Sequence, residues 1–335
     1  MDNNLKLLLR EYEQKRNTCI ADANLKKKTV MEKYPELNEL DSNIARLSIK
    51  SIQMVLTGSS KDEIKNIKDR IEVLKKEKDN FIKSKHIEVS VFNPKFECSK
   101  CNDTGYISTP KGNVLCSCIK QKLYDINYNN SNIYDLENQN FDNFRLDFYS
   151  DIANPDKYHS KLSPRENIIS IKKTCEKFIE NFDDPLENNL LFCGNTGLGK
   201  TFLSSCIASE CIKKGKTVLY QTSPIMLDKI IDYKFGKTQN DIVSTIYSVD
   251  LLIIDDLGTE TKNSLKLTEL FNLINSRLLN QNNKVTKTII STNLTLQNLY
   301  DNYDERIVSR IIGNYNACYF FGEDIRIKKK IALKR

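Results

Sequence analysis

The chain has 335 residues with ten cysteines, and Lys+Arg (51) exceed Asp+Glu (44) for a net charge of +7. This length fits two or three domains with a sizeable core, and the mild basicity permits contact with nucleic acid or an acidic partner without demanding it. No apolar run approaches the roughly 20 residues of a membrane span, and MDNNLKLLLREYEQ lacks the pattern of a secretory signal. With several cysteines inside apparent core segments, the expected setting is reduced and cytoplasmic, without a membrane partner.

Residues 1–34 read as a charged helix, with Leu5, Leu8, Leu9, Tyr12 and Ile20 at helical intervals. Two more helical segments follow: Leu37, Leu40, Ile44 and Leu47 step by three and four, as do Ile64, Ile67, Ile71, Leu74, Lys78 and Phe81. Thr57-Gly58-Ser59-Ser60 between them is a turn, which predicts an antiparallel helical hairpin. Heptad spacing names no partner, so a solvated stalk and a partner-binding module both fit.

Next come Cys98-x-x-Cys101 and Cys116-x-Cys118, separated by a short segment with Asp103, Gly105, Pro110 and Gly112. The first pair resembles a zinc knuckle. Four thiolates satisfy tetrahedral zinc, and binding would fold a loop-rich segment with little core of its own. Only His86 and His159 could offer imidazole, so a four-cysteine structural site is expected, with ordinary reduced thiols or a redox pair as the alternative. Residues 124–160 read as a linker. Phe141, Phe144, Phe148 and Tyr149 are too many aromatics for a purely solvated one, so FDNFRLDFYSD is expected to pack along the following domain, near the base of a bound nucleotide. Ser163 then N-caps a helix to about Phe182, with Pro164 at its first position.

The apolar run Leu190–Cys193 reads as a buried strand. Gly194-Asn195-Thr196-Gly197-Leu198-Gly199-Lys200-Thr201 follows and fits G-x-x-x-x-G-K-[ST] at every position. A helix with Leu203, Cys206, Ile207 and Cys211 on one face comes next, closed by Gly215. Glycines let backbone amides approach phosphate oxygens, and the helix N-terminus adds its positive dipole end. Lys200 is expected on the β/γ-phosphates and the Thr201 hydroxyl on magnesium. Further apolar runs at 217–221, 249–258, 287–292 and 317–321 alternate with helical segments, which predicts a parallel α/β sheet with helices on both faces.

Leu251–Ile254 followed by Asp255-Asp256 predicts a buried strand delivering two carboxylates to the carboxyl edge of the sheet, where ligands of such folds gather. Asp255 suits the magnesium side, directly or through water, and Asp256 suits the attacking water. Asn293, ending Ser291-Thr292-Asn293, suits the γ-phosphate or that water, with a strand-end cap as the competing reading. Arg306 and Arg310 share a helix face; an exposed arginine surface is the ordinary meaning, and a residue lent to a neighbouring subunit's nucleotide is the alternative. Arg326 in GEDIR follows the last strand and is placed to touch phosphates within the same subunit.

Together these residues resemble the AAA+ ATPases, and more narrowly the bacterial replicative helicase loaders of the DnaC/DnaI type, with the transposition helper IstB as a relative. GNTGLGKT resembles Walker A, LLIIDDLG Walker B, STN sensor 1, ERIVSR the arginine-finger motif and GEDIR sensor 2. The resemblance covers most of 140–330. It implies an α/β P-loop core with a parallel sheet, helices on both faces and no full helical lid, preceded by a helical domain with a small zinc module. The domains would then be 1–90 (helical), 91–123 (zinc), 124–160 (linker) and 161–335 (AAA+ ATPase). It further implies ATP and Mg2+ held by Gly194, Asn195, Thr196, Gly197, Leu198, Gly199, Lys200, Thr201, Phe202, Arg306 and Arg326. Catalysis would fall to Lys200, Asp255, Asp256, Asn293 and Arg310, and Zn2+ would be held by Cys98, Cys101, Cys116 and Cys118. The implied activity is ATP hydrolysis, slow and partner-dependent because Asp256 stands where most of the family carry Glu. The implied partners are a hexameric replicative DNA helicase held by the N-terminal part, single-stranded DNA, and further copies of the chain on ATP binding; Lys213, Lys214, Lys216, Lys328, Lys329, Lys330, Lys334 and Arg335 are the candidate phosphate contacts, with solvated surface the ordinary meaning of any one of them. An IstB-like transposition ATPase and a weakly hydrolysing ATP-sensing adaptor are the alternatives.

Overall fold

The structure is a computed structural model that describes residues 3–58, 60–110, 112–126, 138–238, 242–261, 263–279 and 284–332. Its contacts divide the chain into two compact units, Met1–Cys116 and Ser117–Arg335.

The first unit begins with three helices, α1 (Asn3–Lys33), α2 (Pro35–Leu56) and α3 (Lys61–Ser84). Tyr34 separates α1 from α2, and Pro35 restarts the helix at a position where its missing N–H costs nothing. Ser60 opens α3 through a capping box with Glu63. α2 and α3 pack on one another as the hairpin predicted from the sequence, with Ile71 and Leu74 of the heptad series buried between them and Asp41 of α2 bonded to Lys78 of α3 at 2.6 Å. Burial would push the Asp41 carboxyl up, but Lys78 and Lys27 together hold it below its ordinary value. Met31, Leu37 and Ile82 close a small core at one end, with Tyr34 and Phe81 edge to face at 5.9 Å. Beyond it lies a feature absent from the sequence reading, the antiparallel hairpin β1 (Tyr106–Thr109) and β2 (Gly112–Leu115), which spaces the two cysteine pairs.

The second unit carries α4 (Ser117–Tyr124), a 3-10 turn at Leu146–Phe148, α5 (Pro155–Tyr158) and α6 (Pro164–Glu180). Then come β3 (Asn189–Cys193), α7 (Lys200–Lys213), β4 (Val218–Thr222), α8 (Ser223–Lys234), α9 (Ile242–Ser248) and β5 (Leu251–Leu257). α10 (Ser264–Leu279), β6 (Lys287–Thr292), α11 (Leu296–Asn302), α12 (Glu305–Asn314), β7 (Tyr315–Tyr319) and α13 (Ile325–Ala332) complete it. The five strands lie in the order β4-β5-β6-β3-β7, and every neighbouring pair is parallel. Strand side chains alternate in direction, so each strand feeds two cores. Leu191, Leu219, Leu252 and Ile254 enter one core, beneath α8 to α12. Leu190, Phe192, Tyr220 and Ile253 enter the other, beneath α6 and α7. This is the parallel sheet with helices on both faces expected from the sequence.

Three local differences stand out. α7 is buried more broadly than its apolar stripe implies, with Ser204, Ser205 and Ala208 also inside, because it is wedged between the sheet and α6. β7 begins and ends two residues earlier than the apolar run at 317–321. Within β5, Ile254 pairs with Ile290 and Leu257 with Thr292, so Asp255 and Asp256 together face the single residue Ser291. That β-bulge decides how the two carboxylates are used.

Candidate active site

The loop 194–199 joins the carboxyl end of the interior strand β3 to α7, whose N-cap is Gly199. Gly199 has φ +94°, and a Cβ there would lie 2.5 Å from the Tyr149 hydroxyl oxygen; Gly197 has φ +76°, and a Cβ there would strike the Asp324 carboxylate. Both positions need glycine for backbone angle and for space. A cavity of about 610 Å3 opens over this loop. Its lining includes Lys200, Thr201, Asp256, Asn293 and Arg326 as well as the rings of Phe144, Phe148 and Phe202. Cationic groups, a carboxylate and aromatic rings in one cavity suit a phosphate chain attached to a flat base.

Lys200 is 6% exposed, and its ammonium donates to the Gly194 carbonyl (2.5 Å), the Asn195 carbonyl (2.8 Å) and Asn293 Oδ1 (2.7 Å). Burial pulls its pKa below the ordinary lysine value, and the Asp255 and Asp256 charges push the other way. Thr201 Oγ1 donates to Asp255 Oδ2 at 3.1 Å. Hydroxyl and carboxylate therefore stand side by side, as two oxygen ligands of one magnesium ion require.

Asp255 is 4% exposed and also accepts from the hydroxyls of Tyr220 and Ser291. Burial, with the Asp255 charge, raises the Tyr220 phenol well above its ordinary value, so it stays a donor. Asp256 adopts the left-handed backbone, φ +54°, which aspartate tolerates better than most residues. In a regular strand the two carboxylates would point to opposite faces of the sheet. The bulge instead lets Asp255 meet Thr201 while Asp256 lines the cavity. Burial first, then the Asp255 charge, raises the Asp256 carboxyl above the ordinary aspartate value.

The aromatic lead-in segment packs as expected. Phe141, Phe144, Leu146 and Phe148 lie against the core beneath α6 and α7, and Phe144 stands 5.8 Å from the Phe202 ring. Tyr149 is 4% exposed and its hydroxyl donates to the Leu198 carbonyl at 2.9 Å. Burial drives that phenol upward, keeping the donor at every working pH.

Arg306 and Arg310 lie outside the cavity. They share the face of α12 that covers Phe271, with guanidinium carbons 5.2 and 4.6 Å from the ring centre. Arg306 pairs with the N-cap Asp304 at 2.8 Å, and Arg310 donates to Asn275 Oδ1 at 2.8 Å. Neither lines the cavity; Arg306 is exposed and Arg310 half-buried. Among the lysines considered for DNA, Lys213 pairs with Glu210, Lys214 with the Ile179 carbonyl, Lys216 with Asp183 and Lys328 with Glu323 and the Phe148 carbonyl. Lys330 is exposed, while the Lys329 side chain and residues Lys334 and Arg335 lie outside the described residues.

The sulfur atoms of Cys98, Cys101, Cys116 and Cys118 all lie within 4.8 Å of one another, with Cys98 and Cys116 3.9 Å apart. Tetrahedral zinc with bonds of about 2.3 Å requires sulfurs roughly 3.8 Å apart, so the donor set fits that metal. Asp103, 4% exposed, shapes the knuckle by accepting the backbone amides of Glu97 (2.9 Å) and Cys98 (2.8 Å).

Sequence reasoning placed Tyr149 near the base but missed its bond to the loop carbonyl, and it missed Tyr220 and Ser291 as partners of Asp255. Ser291 was within reach, since it lies two residues before Asn293 along one strand. Tyr220 reaches Asp255 only because β4 pairs with β5, and no local pattern announces that.

Residues 158–330, about half of the chain, match the family described as IstB-like ATP binding protein. The replicative helicase loader DnaC of Escherichia coli is 24% identical over 162 residues, 48% of this chain and 63% of that protein. The chain thus spans a little under two thirds of that relative. An insertion-sequence ATP-binding protein of Sinorhizobium fredii is 26% identical over 148 residues, 42% of this chain and 57% of its own length. Among solved structures, the DnaC helicase loader superposes with a TM-score of 0.42 at 24% identity, covering 50% of this chain and 97% of that one.

Proposed function

Since the chain belongs to the IstB-like ATP-binding family, we propose that it is an ATP-dependent loader of a replicative DNA helicase. The observation that carries the ATPase reading is the meeting of Thr201, Asp255, Lys200 and Asn293 at the mouth of a glycine loop, with Asp256 turned into the same cavity by the bulge. Lys200 and the loop amides would bind the triphosphate, Thr201 and Asp255 would hold Mg2+, and Phe144, Phe148 and Phe202 would cover the base. Magnesium supplies charge neutralisation between the phosphates when bound. Asp256 accepts a proton from, or orients, the attacking water, and Asn293 steadies Lys200 and that water. Arg310, with Arg306 beside it, is presented outward for the nucleotide of a neighbouring copy, which makes self-association on ATP part of this reading.

The names of the relatives favour a loader or a transposition ATPase. An N-terminal unit that opens with three helices and runs to Cys116, the third of the four clustered cysteines, favours the loader, because it offers a dedicated arm for a partner. In this reading the four thiolates hold Zn2+, the arm binds the hexameric helicase, and the ATPase core contacts single-stranded DNA while ATP acts as the release switch. Two experiments test it. ATP turnover measured with magnesium, with and without DNA, must disappear in Lys200→Ala; turnover unchanged by that substitution removes the catalytic assignment. Full-length protein must co-elute with the replicative helicase of its own host, and failure to do so with ATP present shifts the reading to the transposition ATPase or the adaptor.

A further inference from the structure

Hydrogen bonds made to the glycine loop by distant segments carry a second conclusion, which rests on the nucleotide reading above. Two consecutive carbonyls of the loop are held in this way. Gly197 O accepts the Ile325 backbone amide at 2.9 Å, and Leu198 O accepts the Tyr149 hydroxyl at 2.9 Å. The Ile325 amide is the first of α13, and Asp324 steadies that end by accepting the Arg326 amide at 2.8 Å, its carboxylate lying against the Cα of Gly197. Lys328 ties the same helix to the Phe148 carbonyl at 3.0 Å, one residue before Tyr149.

A trans peptide is planar, so the carbonyl of one residue and the amide of the next point in opposite directions. No cis peptide is present among the described residues. Anchoring Gly197 O therefore turns the Leu198 amide away from Ile325, and anchoring Leu198 O turns the Gly199 amide away from Tyr149. Leu198 and Gly199 both line the cavity, and among the described residues no acceptor answers either amide. Successive amides aimed at one point form an anion nest. We propose that Tyr149 and Asp324 are positioning residues for phosphate: they hold two loop peptides with their N–H groups toward the phosphate chain before nucleotide arrives. Neither side chain touches phosphate in this scheme. Asp324 works through the first turn of α13, and Tyr149 works through a single hydroxyl.

The contribution of one such bond is modest, because water competes for both partners. The test is competition against a fluorescent ADP by ATP, ADP and AMP, on full-length wild type, Tyr149→Phe and Asp324→Ala. Tyr149→Phe keeps the buried ring and removes the hydroxyl. It is expected to weaken ADP and ATP about fivefold, which is about 1 kcal/mol, while AMP, lacking the β-phosphate, changes less than twofold and the melting temperature stays near wild type. Asp324→Ala is expected to shift ADP and ATP in the same direction by loosening the first turn of α13. Unchanged ADP affinity in Tyr149→Phe, or an equal loss for ADP and AMP, overturns the positioning role. Wild type that fails to bind ADP saturably overturns the nucleotide reading itself, a result distinct from either of those.

Discussion

Replacing Asp255 by Ala tests the site through stability as well as activity. The carboxylate is 4% exposed and accepts from Thr201, Tyr220 and Ser291. Tyr220 is 1% exposed and Ser291 fully buried, so their hydroxyls cannot turn to water once the acceptor is gone. An unmet buried donor costs about 1–3 kcal/mol, which gives a gross loss of roughly 2–6 kcal/mol for the two. Removal of a buried charge offsets part of this, and Asp256 is relieved of its neighbour's repulsion. A net loss of about 2 kcal/mol is expected, since breaking up a satisfied polar network is more costly than relieving one charge. For a unit of this size that corresponds to about 4–8 °C in Tm. Asp255→Asn keeps one acceptor oxygen and is expected to lose about half as much. Calorimetry of the full chain without nucleotide or magnesium reads the transition of the second unit. An Asp255→Ala protein melting at or above wild type would refute the reasoning, because relief of buried charge would then outweigh the three hydroxyls. Turnover should vanish in both variants.

Asp250 gives a pH signature. Burial would push its carboxyl up, but Lys284 and the Thr217 hydroxyl and amide outweigh it and hold the pKa below the ordinary value. A carboxyl depressed in the folded state contributes stability above its unfolded pKa of about 3.9 and loses it as pH falls through the lower folded value. The Tm gap between wild type and Asp250→Asn should therefore be full near neutrality and shrink as acid is added below pH of about 4; a gap independent of pH contradicts the assignment. Freshly purified reduced protein should carry one zinc per chain by metal analysis, and Cys98→Ser should lose most of it. Ser163→Ala removes the side chain that accepts the Glu166 amide at 3.2 Å in the α6 capping box, and should lower stability by about 1 kcal/mol in denaturant titration. Arg310→Ala should leave ADP binding within twofold and reduce turnover at least tenfold, because the guanidinium lies outside its own cavity; an equal loss in both would place it on its own nucleotide.

The phosphate loop, the buried strands and the cysteine pairs were legible in the chain because each rests on spacing over a few residues. Gly194 to Thr201 carries the phosphate-loop spacing between a strand and a helix, and two close cysteine pairs bracketing a short hairpin bring four sulfurs together by local geometry. The three N-terminal helices were legible for the same reason, since their periodicity and the turn at 57–60 are local. What depended on tertiary structure was how distant segments meet. The bulge opposite Ser291 arises from the pairing of β5 with β6, so the different uses of Asp255 and Asp256 could not be read from two adjacent letters. Tyr220 reaches Asp255 across the β4–β5 pair, and Tyr149 and Ile325 reach the loop from segments nearly 50 residues before and more than 120 after it. Backbone pattern is set by nearest neighbours, whereas the direction of a carboxylate or a peptide plane is set by whatever the sheet brings alongside it.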